Sequence, residues 1–169
     1  MKKLIAAGFA AVLLAGAAYA TGTHKHSHEE KTATESHGHG DAMAIGRAGD
    51  MAKASRTIAI AMLEKDDGSM VFEPAVIQVT KGETLRLSFS NKGDNAHEFV
   101  MDEHMAIMDH KKAMERFPEM EHADPNAIHL EPGQSGEIIW TFTNPGSFEF
   151  ACLIPGHFEA GMKGALTVD

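Results

Sequence analysis

The stretch Phe148-Glu149-Phe150-Ala151-Cys152-Leu153-Ile154-Pro155-Gly156-His157-Phe158-Glu159-Ala160-Gly161-Met162 constrains this chain most. It holds the single cysteine, a histidine five residues later and a methionine five after that. A strand-like run, Phe148 to Ala151, leads in, and another, Gly164 to Val168, leads out. One short loop therefore presents a thiol, an imidazole and a thioether together. That is a soft donor set, suited to copper. A mononuclear site of this type needs one more imidazole, and His97, at the end of a strand-like run, is the natural supplier. The reading is a copper site of His97, Cys152, His157 and, axially, Met162. Each residue also has a plainer reading. A lone cysteine in an apolar run is usually an inert buried thiol, Met162 fits a core, and His157 fits an ordinary loop.

The amino-terminal end bears on where such a site works. Lys2 and Lys3 precede an apolar run from Leu4 to Ala18, followed by Ala18-Tyr19-Ala20. Charged, apolar and small-x-small regions in that order predict a secretory signal peptide over residues 1–20. The run is too short for a confident membrane span, and no other stretch is long enough. The chain is thus not expected to be an integral membrane protein; a retained amino-terminal anchor is the alternative. Cleavage would leave 149 of 169 residues, enough for one domain with a real core. Losing two lysines and no acid takes the net charge from -9 to -11. Such a surface repels nucleic acid, whose binding depends on neutralising phosphates, and suits metal cations or a basic partner. One cysteine allows no internal disulfide, and an exported free thiol is exposed to oxidation unless a metal occupies it.

Residues 21–55 are small and polar, with His24, His26, His28, His37 and His39 inside sixteen residues. They read as a flexible tail, either a solvated linker or a weak auxiliary metal site. The folded part is expected from Arg56 to Asp169. Thr57 to Met62 reads as a strand, Glu64 to Ser69 as a turn, and Met70 to Val79 as one strand bent at Pro74. Thr84 to Ser90 alternates, with Leu85, Leu87 and Phe89 on one face, which marks a strand with one buried side. Ala96 to Met101 carries His97. Residues 102–127 lack strand character and read as a helical insertion ending at Pro118. Met101, Met105 and Met108 share a face there by helical spacing. Met105 and Met108 either pack the helix or offer thioethers to cuprous ion. Short strands, regular turns and no βαβ rhythm then predict an all-β antiparallel sandwich.

Taken together, the loop and His97 make residues 56–169 resemble the cupredoxins, Greek-key β-sandwich proteins with a type 1 copper centre. The resemblance puts the upstream histidine ligand on His97, the thiolate on Cys152, the second imidazole on His157 and the axial thioether on Met162. The histidine-rich start, the Met/His-bearing insertion and the Cys-Leu-Ile-Pro-Gly-His-Phe-Glu-Ala-Gly-Met loop resemble the periplasmic copper-tolerance cupredoxins of bacteria, some of them green. Four residues separate Cys152 from His157, where the plastocyanin pattern has two, which argues against a photosynthetic plastocyanin role. The resemblance implies periplasmic copper handling with one-electron cycling. The alternative is an electron shuttle with a basic or cytochrome-type redox partner, and a copper efflux or oxidase component is a further candidate partner. Enzymatic turnover is not expected, beyond weak cuprous oxidation. Multicopper enzymes use additional domains, and a binuclear centre needs a second cysteine.

Overall fold

A computed structural model describes residues 43–118 and 124–169. Among them, β-strands form a two-layer sandwich. The first sheet contains β1 (Arg47–Ala48), β2 (Arg56–Glu64), β3 (Met70–Glu73), β5 (Thr84–Asn91) and β8 (Ser135–Thr141), in the order β1-β8-β5-β2-β3. The second contains β4 (Val76–Val79), β6 (His97–Asp102), β7 (Ala127–Leu130), β9 (Gly146–Ala151) and β10 (Lys163–Val168), in the order β4-β10-β9-β6-β7. The expected all-β sandwich with a helix inserted after the His97 strand is therefore present.

Two expectations about the strands need correction. Met70 to Val79 is not one bent strand. It is β3 and β4, which belong to different sheets, with the chain crossing between layers at Pro74. The sandwich is also not purely antiparallel. Crossing layers through β3 and β4 brings β5 back beside β2 in the same direction, with Ile58 opposite Leu87 and Ile60 opposite Phe89. β4 likewise runs parallel to β10.

Packing also begins before Arg56. Ile45 is fully buried, β1 pairs with β8, and Gly46 sits so close to that strand that a Cβ would lie 2.1 Å from the Thr141 carbonyl oxygen. One isoleucine among small residues shows no periodicity, so only the pairing with β8 reveals it. His24, His26, His28, His37 and His39 lie outside the described residues.

The core follows from alternation. Leu85, Leu87 and Phe89 are all buried, as their period-two spacing requires. Phe72 and Phe89 of the first sheet meet Phe99 and Phe150 of the second. Phe99 stacks on Phe150 at 5.1 Å and meets Phe72 edge-on at 5.6 Å, between ring centroids. Each such ring contributes on the order of 3 kcal/mol through burial. His97 is two residues before Phe99 and Cys152 two residues after Phe150. The alternation that sends the rings inward sends both donors inward too, and His97 and Cys152 have no exposed surface.

The insertion forms α1 (His104–Arg116), which ends at Phe117 before Pro118. Its buried face is Ile107 and Met114, packed on Val100, Ala151 and Leu153 outside the main core. It is not the face of Met105, which is 66% exposed, or of the half-buried Met108. Met101 belongs to β6 and lies in the main core instead.

Candidate metal centre

β6 and the loop between β9 and β10 bring three donors together. One donor atom each from His97, Cys152 and His157 lies within 4.8 Å of the others, the one such group among the described residues. His97 Nδ1 is 3.2 Å from His157 Nδ1, which in turn is 3.4 Å from Cys152 Sγ. With metal–nitrogen and metal–sulfur bonds of about 2.0 and 2.3 Å, a trigonal site has donor–donor edges of roughly 3.5–3.7 Å. The observed edges fall just inside that, so a small outward movement admits an ion. Two imidazole nitrogens and a sulfur turned toward one another make a donor set of the right chemistry for a soft cation.

The loop is held by its own backbone. Cys152 N–H donates to the Met162 carbonyl at 3.0 Å, Met162 N–H to the His157 carbonyl at 3.0 Å, and His157 N–H to the Ile154 carbonyl at 3.0 Å. Gly161 takes a φ of 99°, a left-handed conformation that glycine adopts without a Cβ clash. Met70 N–H donates to the Ala160 carbonyl at 3.0 Å and fastens the loop to β3. Lys111 of α1 reaches Glu159 at 2.7 Å, and the Lys163 ammonium lies 4.5 Å from the centre of the Phe158 ring. Met162, the fourth expected donor, is fully buried in the main core cluster that also includes Cys152.

Burial pushes the Cys152 thiol up to about 12, against the pull of backbone N–H groups of Glu98 and Ile154 toward the thiolate. The Glu98 N–H lies 3.3 Å from Sγ. Such a thiol gives up its proton in exchange for a metal rather than to water. Burial also lowers both imidazoles, and the neighbouring His97 lowers His157 further. Both rings are thus held neutral, the form that ligates metals.

Sequence reasoning missed Glu64. By sequence it opens a turn, yet it is the last residue of β2, and its Oε1 lies 2.8 Å from His97 Nε2. Burial acts to raise its carboxyl, but the Asn95 side chain and the backbone N–H groups of Asp94 and Asn95 outweigh it and hold it down to about 2. No spacing signal links positions 64 and 97. Of the acids next to the ligands in the chain, Glu98 is buried, Glu149 is half-buried and contacts His104 at 3.1 Å, and Glu159 is exposed and pairs with Lys111. Met105 lies exposed and Met108 half-buried on α1, and neither packs in the core cluster that holds Cys152 and Met162.

Residues 59–169 match the family model for copper binding proteins of the plastocyanin/azurin family. The chain belongs to this family. A copper-resistant cuproprotein, CopI, of Rubrivivax gelatinosus is 50% identical over 73% of this chain and 72% of its own length. The protein of the same description from Pseudomonas aeruginosa is 38% identical over 74% of this chain and 82% of its own. Among solved structures, the reduced auracyanin of Roseiflexus castenholzii superposes with a TM-score of 0.57 at 28% identity, covering 69% of this chain and 98% of that one. The chain is thus a cupredoxin with one His/Cys/His cluster among its described residues, consistent with a single type 1 copper site. No described helix is long and apolar enough to cross a membrane.

Proposed function

We propose that this chain is an exported, periplasmic copper-tolerance protein that would hold one copper through His97 Nδ1, Cys152 Sγ and His157 Nδ1, with Met162 as a fourth donor. The observation that carries the proposal is the convergence of two imidazole nitrogens on a buried thiol. The CopI relatives, described as copper-resistant cuproproteins, support the tolerance role. When bound, copper supplies one-electron redox chemistry at this site.

The chain's own residues would do the rest. Glu98 and Ile154 N–H groups stabilise negative charge on Sγ, and the neutral imidazoles offer lone pairs. The backbone-bonded loop and the aromatic core beneath it limit how far the donors move when the metal changes charge, which favours rapid electron exchange. His157 is half-buried beside the exposed Pro155 and Gly156 and is the route by which an electron enters or leaves. That exposure, with the likeness to auracyanin, also favours a second reading as an electron shuttle between redox partners. A basic or cytochrome-type protein, or a copper efflux or oxidase component, is the partner class to seek. Any further copper on the tail histidines or on Met105 and Met108 would appear as a stoichiometry above one that falls when those residues are removed.

Growth under excess copper separates the two readings. A deletion strain and a Cys152→Ala strain are both expected to be copper-sensitive. Normal growth of both would leave electron transfer as the function.

A further inference from the structure

We infer that Glu64 is a positioning residue of the metal centre: its carboxylate fixes the proton of His97 on Nε2, leaves Nδ1 free toward Cys152 and His157, and biases bound copper toward the cupric state. The inference rests on the copper-binding reading above.

His97 has no exposed surface, and its two ring nitrogens face different neighbours. Nδ1 is 3.2 Å from His157 Nδ1, and Nε2 is 2.8 Å from Glu64 Oε1. A ligating nitrogen must carry no proton, so the ring proton belongs on Nε2, as a carboxylate behind a metal-binding histidine arranges. The Nε2–Oε1 approach is close but off the N–H axis. A negative charge at that distance still favours the proton on the nitrogen it faces. It also sits behind the ring that gives electron density to the metal, and so favours the more highly charged ion.

Glu64 is built into place. Its carboxylate accepts from the Asp94 N–H at 2.9 Å, the Asn95 N–H at 3.1 Å and Asn95 Nδ2 at 3.0 Å. These donors lie on the turn that leads directly into His97. The turn is braced in its own right. Asn91 Nδ2 donates to the Asn95 and Leu130 carbonyls, and Asn91 Oδ1 accepts from the Gly93 N–H. Gly93 leaves the space the carboxylate fills, since a Cβ there would lie 2.3 Å from Glu64 Oε2. Glu64 therefore joins the end of β2 to the first ligand and sets a charge behind it.

The test compares wild type, Glu64→Gln and Gly93→Ala. Glutamine keeps the shape and an acceptor but removes the charge, whereas Gly93→Ala keeps the charge and displaces it. In both variants the ratio of cuprous to cupric affinity is expected to rise roughly tenfold, read as an increase of about 59 mV in reduction potential. A ratio unchanged within twofold in folded variants would overturn the inference, whatever happens to their thermal stability. A second measurement uses the metal-free wild type. Nitrogen-15 NMR of His97 is expected to show the Nε2–H tautomer, and an Nδ1–H tautomer would overturn the inference even if both variants fail to fold. Because that readout needs no copper, a wild type that binds no copper but shows the Nε2–H tautomer would count against the copper reading alone.

Discussion

At the scale of single residues, the donor cluster was legible because its chemistry is local. Cys152 and His157 sit five residues apart on one loop, and softness of the donors needs no coordinates to recognise. His97 was legible within the strand-like run from Ala96 to Met101. Glu64 was not, because its partner is 33 positions away and only the parallel pairing of β2 with β5 brings the two near each other. Glycine at 161 belongs to the same scale. With a φ of 99°, Gly161→Ala is expected to cost about 1–2 kcal/mol, seen as a lower denaturation midpoint in the metal-free protein. An unchanged midpoint would mean that the loop relaxes to a different backbone path.

At the scale of elements, alternation carried most of the reading and also caused its errors. It correctly buried Leu85, Leu87 and Phe89. It said nothing of which sheet a strand joins, so β3 and β4 ran together across Pro74. Helical spacing suggested a methionine face on α1, but the sandwich offers Val100, Ala151 and Leu153 to Ile107 and Met114 instead. Phe99, two residues from His97, links both sheets through its ring contacts. Phe99→Ala is expected to lose about 3–5 kcal/mol and to weaken copper retention in the same protein. Loss of stability with retention unchanged would show that the rings do not support the donors.

A second element-scale prediction concerns acid. Hydrogen bonds from Arg56 at 2.8 Å and from the Thr80 N–H and Ser55 hydroxyl hold the Glu83 carboxyl down to about 2, against burial, which acts to raise it. A folded-state value below the ordinary carboxylate value of 4.5 means the contribution is complete above that pH and is lost as pH falls toward 2. Chemical denaturation is expected to show wild type more stable than Glu83→Gln at neutral pH, with the gap closing between those limits. A gap independent of pH would assign the effect to packing.

At the scale of the whole molecule, the two-layer architecture was legible from the rhythm of short strands and turns, and the helical insertion from the break in that rhythm. The start of packing was not, because Ile45 is isolated among small residues. Removing residues 43–55 strips β1 from β8 and Ile45 from the core. It is expected to lower stability by at least the 2–5 kcal/mol of a buried isoleucine deletion, measured as a fall in denaturation midpoint against a chain that retains them. Equal midpoints would put the functional boundary of the domain at Arg56 after all. The most direct test of the copper site is a visible absorption titration of folded, metal-free protein with cupric ion. An intense thiolate-to-copper band saturating at one copper per chain, and absent in Cys152→Ala, is the result expected. No such band in folded wild type, or a band that survives Cys152→Ala, would contradict it.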